Sequence, residues 1–127
     1  MVETLVAVAV GLLVLTAAIH SLLGEMRLIA PLMRERTGVL ASAQSRFLLR
    51  LTWHLASVLW LALAVILLAA VWRPEIVVRV AFAATGGLFL VCGLIDAVAT
   101  RFRHIGWPFL TAIGVLALTA LTMLPAA

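Results

Sequence analysis

Long apolar stretches follow one another along this sequence of 127 residues, and they limit the chain to one class of fold. Crossing the hydrocarbon core of a bilayer takes about 20 apolar residues in one helix. The stretches here are apolar all the way round a helix, whereas a helix of a soluble protein needs a polar face. Hydrophobic residues make up 66% of the chain and charged residues only 11%. The sequence therefore predicts an all-α integral membrane protein with four transmembrane helices.

The predicted helices form a single domain over residues 1–127 and cover about residues 3–24, 46–72, 76–100 and 105–124, with the alternative that the first helix extends toward Pro31. Arginines among apolar residues predict that the connection at about 25–45 lies along the membrane interface. The other two connections are very short, and short connections make consecutive helices antiparallel neighbours. We therefore expect a four-helix antiparallel bundle. Glu3 replaces the positive charge of a signal peptide, so the first helix is not expected to be cleaved.

The charge distribution predicts an orientation. All nine basic side chains are arginines, and the formal net charge is +4. Seven of them lie in or beside the first and third connections: Arg27, Arg34, Arg36, Arg46, Arg50, Arg101 and Arg103. The positive-inside rule then places both termini on the non-cytoplasmic side, as in a bacterial inner membrane protein. The arginines lack the interleaved aromatic residues of a nucleic-acid site, so no nucleic-acid partner is expected.

Ionisable side chains are scarce within the predicted helices, and the predicted topology brings them to one end of the bundle. An ionisable group at the bilayer centre costs about 2.5–3.5 kcal/mol on insertion scales, so it needs a partner or a cavity. All four helices contribute to this predicted polar site, whose members are His20, Glu25, His54, Asp96 and His104. We expect these five side chains to share one internal site.

Two interpretations of this site involve a cofactor. Imidazole and carboxylate groups suit zinc, iron or manganese, and the five residues above would be the metal ligands. Alternatively, His20 and His54 are the axial ligands of a b-type haem, with Arg50 near a propionate and Gly24 making room for the ring. Ligand spacings such as HExxH and CxxC do not occur in the sequence, so neither interpretation rests on a motif.

Two further interpretations need no cofactor. The polar residues could handle protons or anions, with Arg50 or Arg103 fixing the acidic group of a lipid or quinone-like substrate. They could also simply pair with one another, as Arg50 with Glu25 and Arg103 with Asp96, with the histidines bonded to serines. The protein would then be an accessory or assembly subunit of a membrane complex. The sequence has no catalytic signature such as GxSxG, and whether the chain is an enzyme stays open.

Two features concern the helices themselves. His20 and Glu25 are five residues apart, about 140° around an ideal helix, so we expect the helix to loosen at Gly24 and turn Glu25 toward His20. The third helix also carries a row of small residues suited to close helix contact: Ala83, Gly86, Gly87 and Gly93. This row predicts tight packing, either within the chain or between copies in a homo-oligomer.

Overall fold

The computed structural model describes residues 1–125, which are almost entirely helical. Within them, four segments are long and apolar enough to cross a membrane: Val2–Leu32, Ala43–Trp72, Pro74–Ala99 and Gly106–Met123. The prediction of an all-α chain with four such helices is confirmed. Helices of this length and composition imply a lipid bilayer as the surroundings of the protein, because their apolar side chains have no other solvent.

The first spanning segment contains a change of helix type. Helix α1 (Val2–Gly24) leads directly into a π-helical turn, Glu25–Ile29, which the short helix α2 (Ala30–Leu32) follows. In this turn the Ala30 N–H donates to the Glu25 carbonyl, one residue further back than in an α-helix. The first helix therefore continues past residue 24 to Leu32, in agreement with the alternative that it extends toward Pro31. The expected loosening occurs just after Gly24, as a widened turn rather than a break.

The connection to the next spanning helix is short and is held by one arginine. A 3-10 helix covers Gly38–Ala41, and helix α3 covers Ala43–Trp72. The Arg46 guanidinium donates to the carbonyl oxygens of Leu40 and Ala41, at 2.5 and 3.0 Å. These bonds fix the 3-10 helix against the first turn of α3, which begins three residues before its predicted start at 46.

By its internal contacts, the chain divides into two compact units, Met1–Leu67 and Leu68–Ala127, and the division falls inside α3. In the first unit, α1 and α3 run in opposite directions, since His20 bonds to Ser57 while Glu25 bonds to Arg50. Gly24 lets them approach closely. A Cβ at this position would lie 2.6 Å from Cζ2 of Trp53, so the indole packs against the bare backbone of α1.

The second unit contains a 3-10 helix at Pro74–Ile76 and the helices α4 (Val77–Ala99) and α5 (Gly106–Met123). These two helices also run in opposite directions, with Gly86 against Leu118 and Gly93 against Thr111. The Arg79 guanidinium near the start of α4 donates to the Pro125 carbonyl just after α5, at 2.8 Å. Glycines at the crossing points thus let α4 and α5 pack closely along their length.

The row of small residues is divided between two environments. Gly86 and Gly93 are buried against α5 within the unit, which accounts for these two positions by packing inside the chain. A Cβ added at Gly87 would meet no atom of another helix within 4 Å among residues 1–125, and Ala83 is exposed. A homo-oligomer through this row stays a prediction, and Ala83 and Gly87 are the positions open to a second copy.

Candidate functional site

Polar side chains of α1 and α3 meet inside the first unit in two hydrogen-bonded groups, Arg50–Glu25–His54–Ser21 and His20–Ser57, which together we call the α1–α3 cluster. Its members from the first helix and its π-helical turn are His20, Ser21 and Glu25, and its members from α3 are Arg50, His54 and Ser57. Three of the predicted site residues, together with Arg50, are therefore brought together. The two serines were expected only as bonding partners of the histidines, and the structure makes them members of the cluster.

His54 links Ser21 to Glu25, because each of its ring nitrogens contacts one of these two side chains. Its Nδ1 lies 2.6 Å from the Ser21 hydroxyl and its Nε2 lies 3.2 Å from a carboxylate oxygen of Glu25. Ser21 and Glu25 are four residues apart, so they lie one above the other on the same face of the helix and reach the same ring. This spacing was the signal in the sequence that links the two residues.

Arg50 binds Glu25 at one end of the series of contacts that runs from Glu25 through His54 to Ser21. Its guanidinium donates to both carboxylate oxygens of Glu25, through Nη2 to one oxygen and through Nε to the other at 3.3 Å. Paired bonds of this kind fix a carboxylate in position as well as neutralising it. The side chain of Arg50 is about half exposed and that of Glu25 is 25% exposed, so the Glu25 end of this series of contacts is partly exposed. Glu25 turns toward α3, and the expectation that it turns toward His20 is wrong.

His20 is held in a tight aromatic setting on the other side of the cluster. Its ring stacks on Trp53 with the centroids 4.1 Å apart, and Trp60 meets it edge-on at 4.9 Å. Nδ1 of His20 lies 2.9 Å from the Ser57 hydroxyl, and the Trp53 indole N–H donates to the His20 carbonyl at 3.1 Å. Ring position and ring rotation of His20 are therefore both fixed. The clamping role of Trp53 was not expected from the sequence.

A cavity of about 270 Å³ opens beside the two serine–histidine contacts. It lies between α1 and α3, and its lining residues are Val14, Ala17, Ala18, Ser21, Ser57, Val58 and Leu61. Five of these are apolar, and the only polar groups are the two serines. The α1–α3 cluster therefore touches an apolar cavity at the points where His54 and His20 hold a hydroxyl.

A second carboxylate–histidine pair lies in the second unit. Asp96 is only 1% exposed, and its Oδ2 lies 2.6 Å from Nδ1 of His104. The other carboxylate oxygen, Oδ1, has no hydrogen-bond partner among residues 1–125. Asp96 therefore pairs with the histidine, and the expected pairing of its carboxylate with Arg103 is wrong. Asp96 reaches His104 because the chain turns sharply after α4.

This turn is unusual in its backbone. Arg101 and Phe102 both adopt left-handed conformations, with φ of 53° and 61°, which non-glycine residues rarely do. The Phe102 N–H donates to the Ala97 carbonyl at 2.7 Å and thereby closes the end of α4. Gly106 completes the arrangement, since a Cβ at this position would lie 2.6 Å from Cε1 of His104. Backbone strain of this kind occurs most often at functional sites.

The predicted five-residue site is thus described as two groups. His20, Glu25 and His54 lie in the α1–α3 cluster, and Asp96 and His104 form the pair of the second unit. Among residues 1–125, no group of three or more His, Cys, Asp or Glu side chains is arranged to hold a metal ion. Metal or haem ligation by these residues remains a prediction.

Comparison with known proteins adds no family. No protein-family model matches the sequence, and no curated protein or solved structure shows significant similarity to it.

Proposed function

We propose that the chain is a proton-handling protein of a bacterial inner membrane, in which Glu25, His54 and Ser21 form a proton relay. The observation that carries the proposal is the double contact of His54, with a carboxylate at Nε2 and a hydroxyl at Nδ1. An imidazole can take a proton at one ring nitrogen while it releases one from the other. Chains of Asp, Glu and His inside membranes are typical of proton relays.

The relay has a defined sequence of steps. A proton that reaches the Glu25 carboxylate at its partly exposed end passes to Nε2 of His54, and the proton of Nδ1 passes to the Ser21 oxygen. The Ser21 hydroxyl releases its own proton toward the cavity. Afterwards Glu25 is again an ionised carboxylate paired with Arg50, and the neutral ring carries its proton on Nε2. A change of tautomer that returns the ring proton to Nδ1 restores the starting state. Arg50 supports the first step because its paired bonds keep the Glu25 carboxylate within reach of the ring.

The test is proton flux through the reconstituted protein. The purified chain is placed in liposomes that contain a pH-sensitive dye, and a potassium diffusion potential drives protons across the membrane. We expect faster flux than in protein-free liposomes and a loss of the added flux in Ser21→Ala, because the terminal hydroxyl of the relay is missing. Flux equal to that of protein-free liposomes would contradict the proposal.

Thr52→Ala is the matched control for the loss of a hydroxyl. The Thr52 hydroxyl lies on the same helix as His54, but it donates to the Leu48 carbonyl of its own helix at 2.8 Å. It is outside the relay, so this variant is expected to keep the flux of the unmodified protein. Equal losses in the two variants would indicate a general effect on folding.

Cofactor binding is the second candidate, and the bond of Ser57 to His20 favours it. A metal-ligating histidine usually has its other ring nitrogen held by a hydrogen bond, as Ser57 holds Nδ1 of His20. At His54 a metal would take the place of the contact between Nε2 and Glu25. Elemental analysis and an absorption spectrum of the purified protein test it. A Soret band that is lost in His20→Ala would select haem, and stoichiometric zinc, iron or manganese that is lost in His54→Ala would select a metal site.

A further inference from the structure

We infer that the cavity between α1 and α3 binds a quinone, in either its quinone or its quinol form, with an oxygen of the ring at Ser21 and Ser57. The bound ring would lie at the Ser21 end of the proposed relay, and in this respect the inference rests on the proposed function.

Size and lining select a ring with an apolar body. An apolar cavity of about 150 Å³ is enough to hold a benzene molecule. The cavity here has about 270 Å³, which leaves room for ring substituents or the start of an apolar tail. Ala17 and Ala18 create this space on the α1 side because their side chains end at Cβ, and Val58 and Leu61 form the apolar wall on α3.

The polar side-chain groups that line the cavity are the hydroxyls of Ser21 and Ser57. Each serine hydroxyl has one donor and two acceptor sites, and the bond to a histidine uses one of them. Ser57 is 4% exposed, so its remaining capacity for hydrogen bonds is shielded from its surroundings. A polar group of a bound molecule would satisfy that capacity. The two hydroxyls therefore select a ligand with at least one oxygen on an otherwise apolar body.

The histidines decide which kind of oxygen fits. When Nδ1 carries a proton it donates to the serine, and the serine O–H is then free to donate to a carbonyl. When Nδ1 is unprotonated it accepts the serine O–H, and the serine oxygen is then free to accept from a ligand hydroxyl. Both His20 and His54 use Nδ1 for this contact. The site therefore accommodates carbonyl and hydroxyl oxygens alike, which are the two forms of a quinone and its quinol.

Binding is measured with the full chain in lipid nanodiscs, with decylubiquinone as the probe and quenching of tryptophan fluorescence as the readout. Empty nanodiscs provide the correction for partition into lipid. We expect saturable quenching, and we expect Ala18→Phe to weaken binding at least about tenfold because the new ring fills the cavity. Ala7→Phe is the matched control, since it makes the same change at an exposed position of α1 outside the lining.

Two further measurements test the role of the oxygens. Ser21→Ala and Ser57→Ala are each expected to weaken binding about two- to tenfold, which is the effect of losing one neutral hydrogen bond. Decylbenzene carries the ring and the tail without the oxygens, and we expect it to compete poorly with the probe. Relief of the quenching by decylbenzene at concentrations similar to that of the probe would overturn the inference.

The outcomes separate this inference from the proposed function. Saturable binding that Ala18→Phe abolishes and Ala7→Phe preserves supports the quinone site, even in a protein that gives no proton flux. Proton flux without saturable binding overturns the quinone site and leaves the relay in place. Equal binding in the two phenylalanine variants also overturns it, since the cavity would then not be where the probe binds.

Discussion

The proposed relay depends on Glu25, because its carboxylate is the acidic group that bonds to His54. Its contacts with Arg50 and His54 come from two successive turns of α3, so its position is fixed from two directions. A glutamine has nearly the same shape and can still accept hydrogen bonds, but it cannot carry the relayed proton. Glu25→Gln therefore removes the group that carries the proton and keeps the packing of the side chain.

We predict that Glu25→Gln removes the proton flux of reconstituted protein while the helical circular dichroism and the gel-filtration profile stay unchanged. Glu35→Gln provides the control, because Glu35 is an exposed residue between the first two spanning segments. Flux in Glu25→Gln that equals the flux in Glu35→Gln would exclude Glu25 from the relay.

The Asp96–His104 pair raises a question of stability. Asp96 is buried with one oxygen unpaired among the described residues, so His104 is the group that satisfies its carboxylate. Removing a partner from a buried polar group costs about 1–3 kcal/mol, and more when the group is charged. We predict that His104→Ala lowers the unfolding free energy by at least about 1 kcal/mol, as measured by denaturation in detergent.

A double-mutant cycle with Asp96→Asn isolates this contact. In the Asp96→Asn background the same His104→Ala change is expected to cost less, because no carboxylate is then left without its partner. A cost that is the same in both backgrounds would show that the two side chains do not stabilise each other.

At the level of the helices, glycine positions decide how closely neighbours pack. Gly86 and Gly87 are adjacent on α4 but differ in surroundings. A Cβ at Gly86 would lie 2.6 Å from Cγ of Leu118 on α5, whereas one at Gly87 would have no neighbour within 4 Å among the described residues. The pair therefore offers a direct comparison of crowded and open positions.

We predict that Gly86→Ala destabilises the protein by about 1–3 kcal/mol, the usual cost of overpacking. Gly87→Ala is expected to be neutral or slightly stabilising, because alanine favours the helix more than glycine does. Thermal denaturation in detergent measures both. A Gly87→Ala loss as large as that of Gly86→Ala would mean that Gly87 has a partner, such as a second copy of the chain.

The chain contains two compact units, and its arginines predict an orientation in the membrane. Seven of nine lie in or beside the first and third connections. The positive-inside rule then predicts that these connections face the cytoplasm. Val39 in the first connection and Glu75 in the second are exposed positions at which this can be measured.

We predict that a membrane-impermeant maleimide labels Glu75→Cys, but not Val39→Cys, in intact spheroplasts. Both substitutions are made in a Cys92→Ser background, since Cys92 is the only cysteine of the sequence. Inverted vesicles should give the opposite pattern. Labelling of Val39→Cys in intact spheroplasts would reverse the proposed orientation.

The sequence by itself determined the number and class of the helices. The length of an apolar run and the absence of a polar face are local properties, and they can be read without knowing which helices touch. The positions of the helix ends were harder to predict from the sequence. The first helix continues to Leu32 through the π-helical turn, whose presence cannot be read from the pattern of apolar residues.

The pairing of Arg50 with Glu25 and the bonds of histidines to serines were predicted from the sequence, but only the tertiary structure decided the other partners of the polar side chains. Glu25 bonds to α3 instead of His20, and Asp96 bonds to His104 instead of Arg103. Both outcomes depend on the rotation of one helix against another and on a turn with two left-handed residues, and neither is encoded in residue spacing along one helix. The cavity at Ser21 and Ser57 has the same origin, because small and large side chains define a space only after two helices have packed.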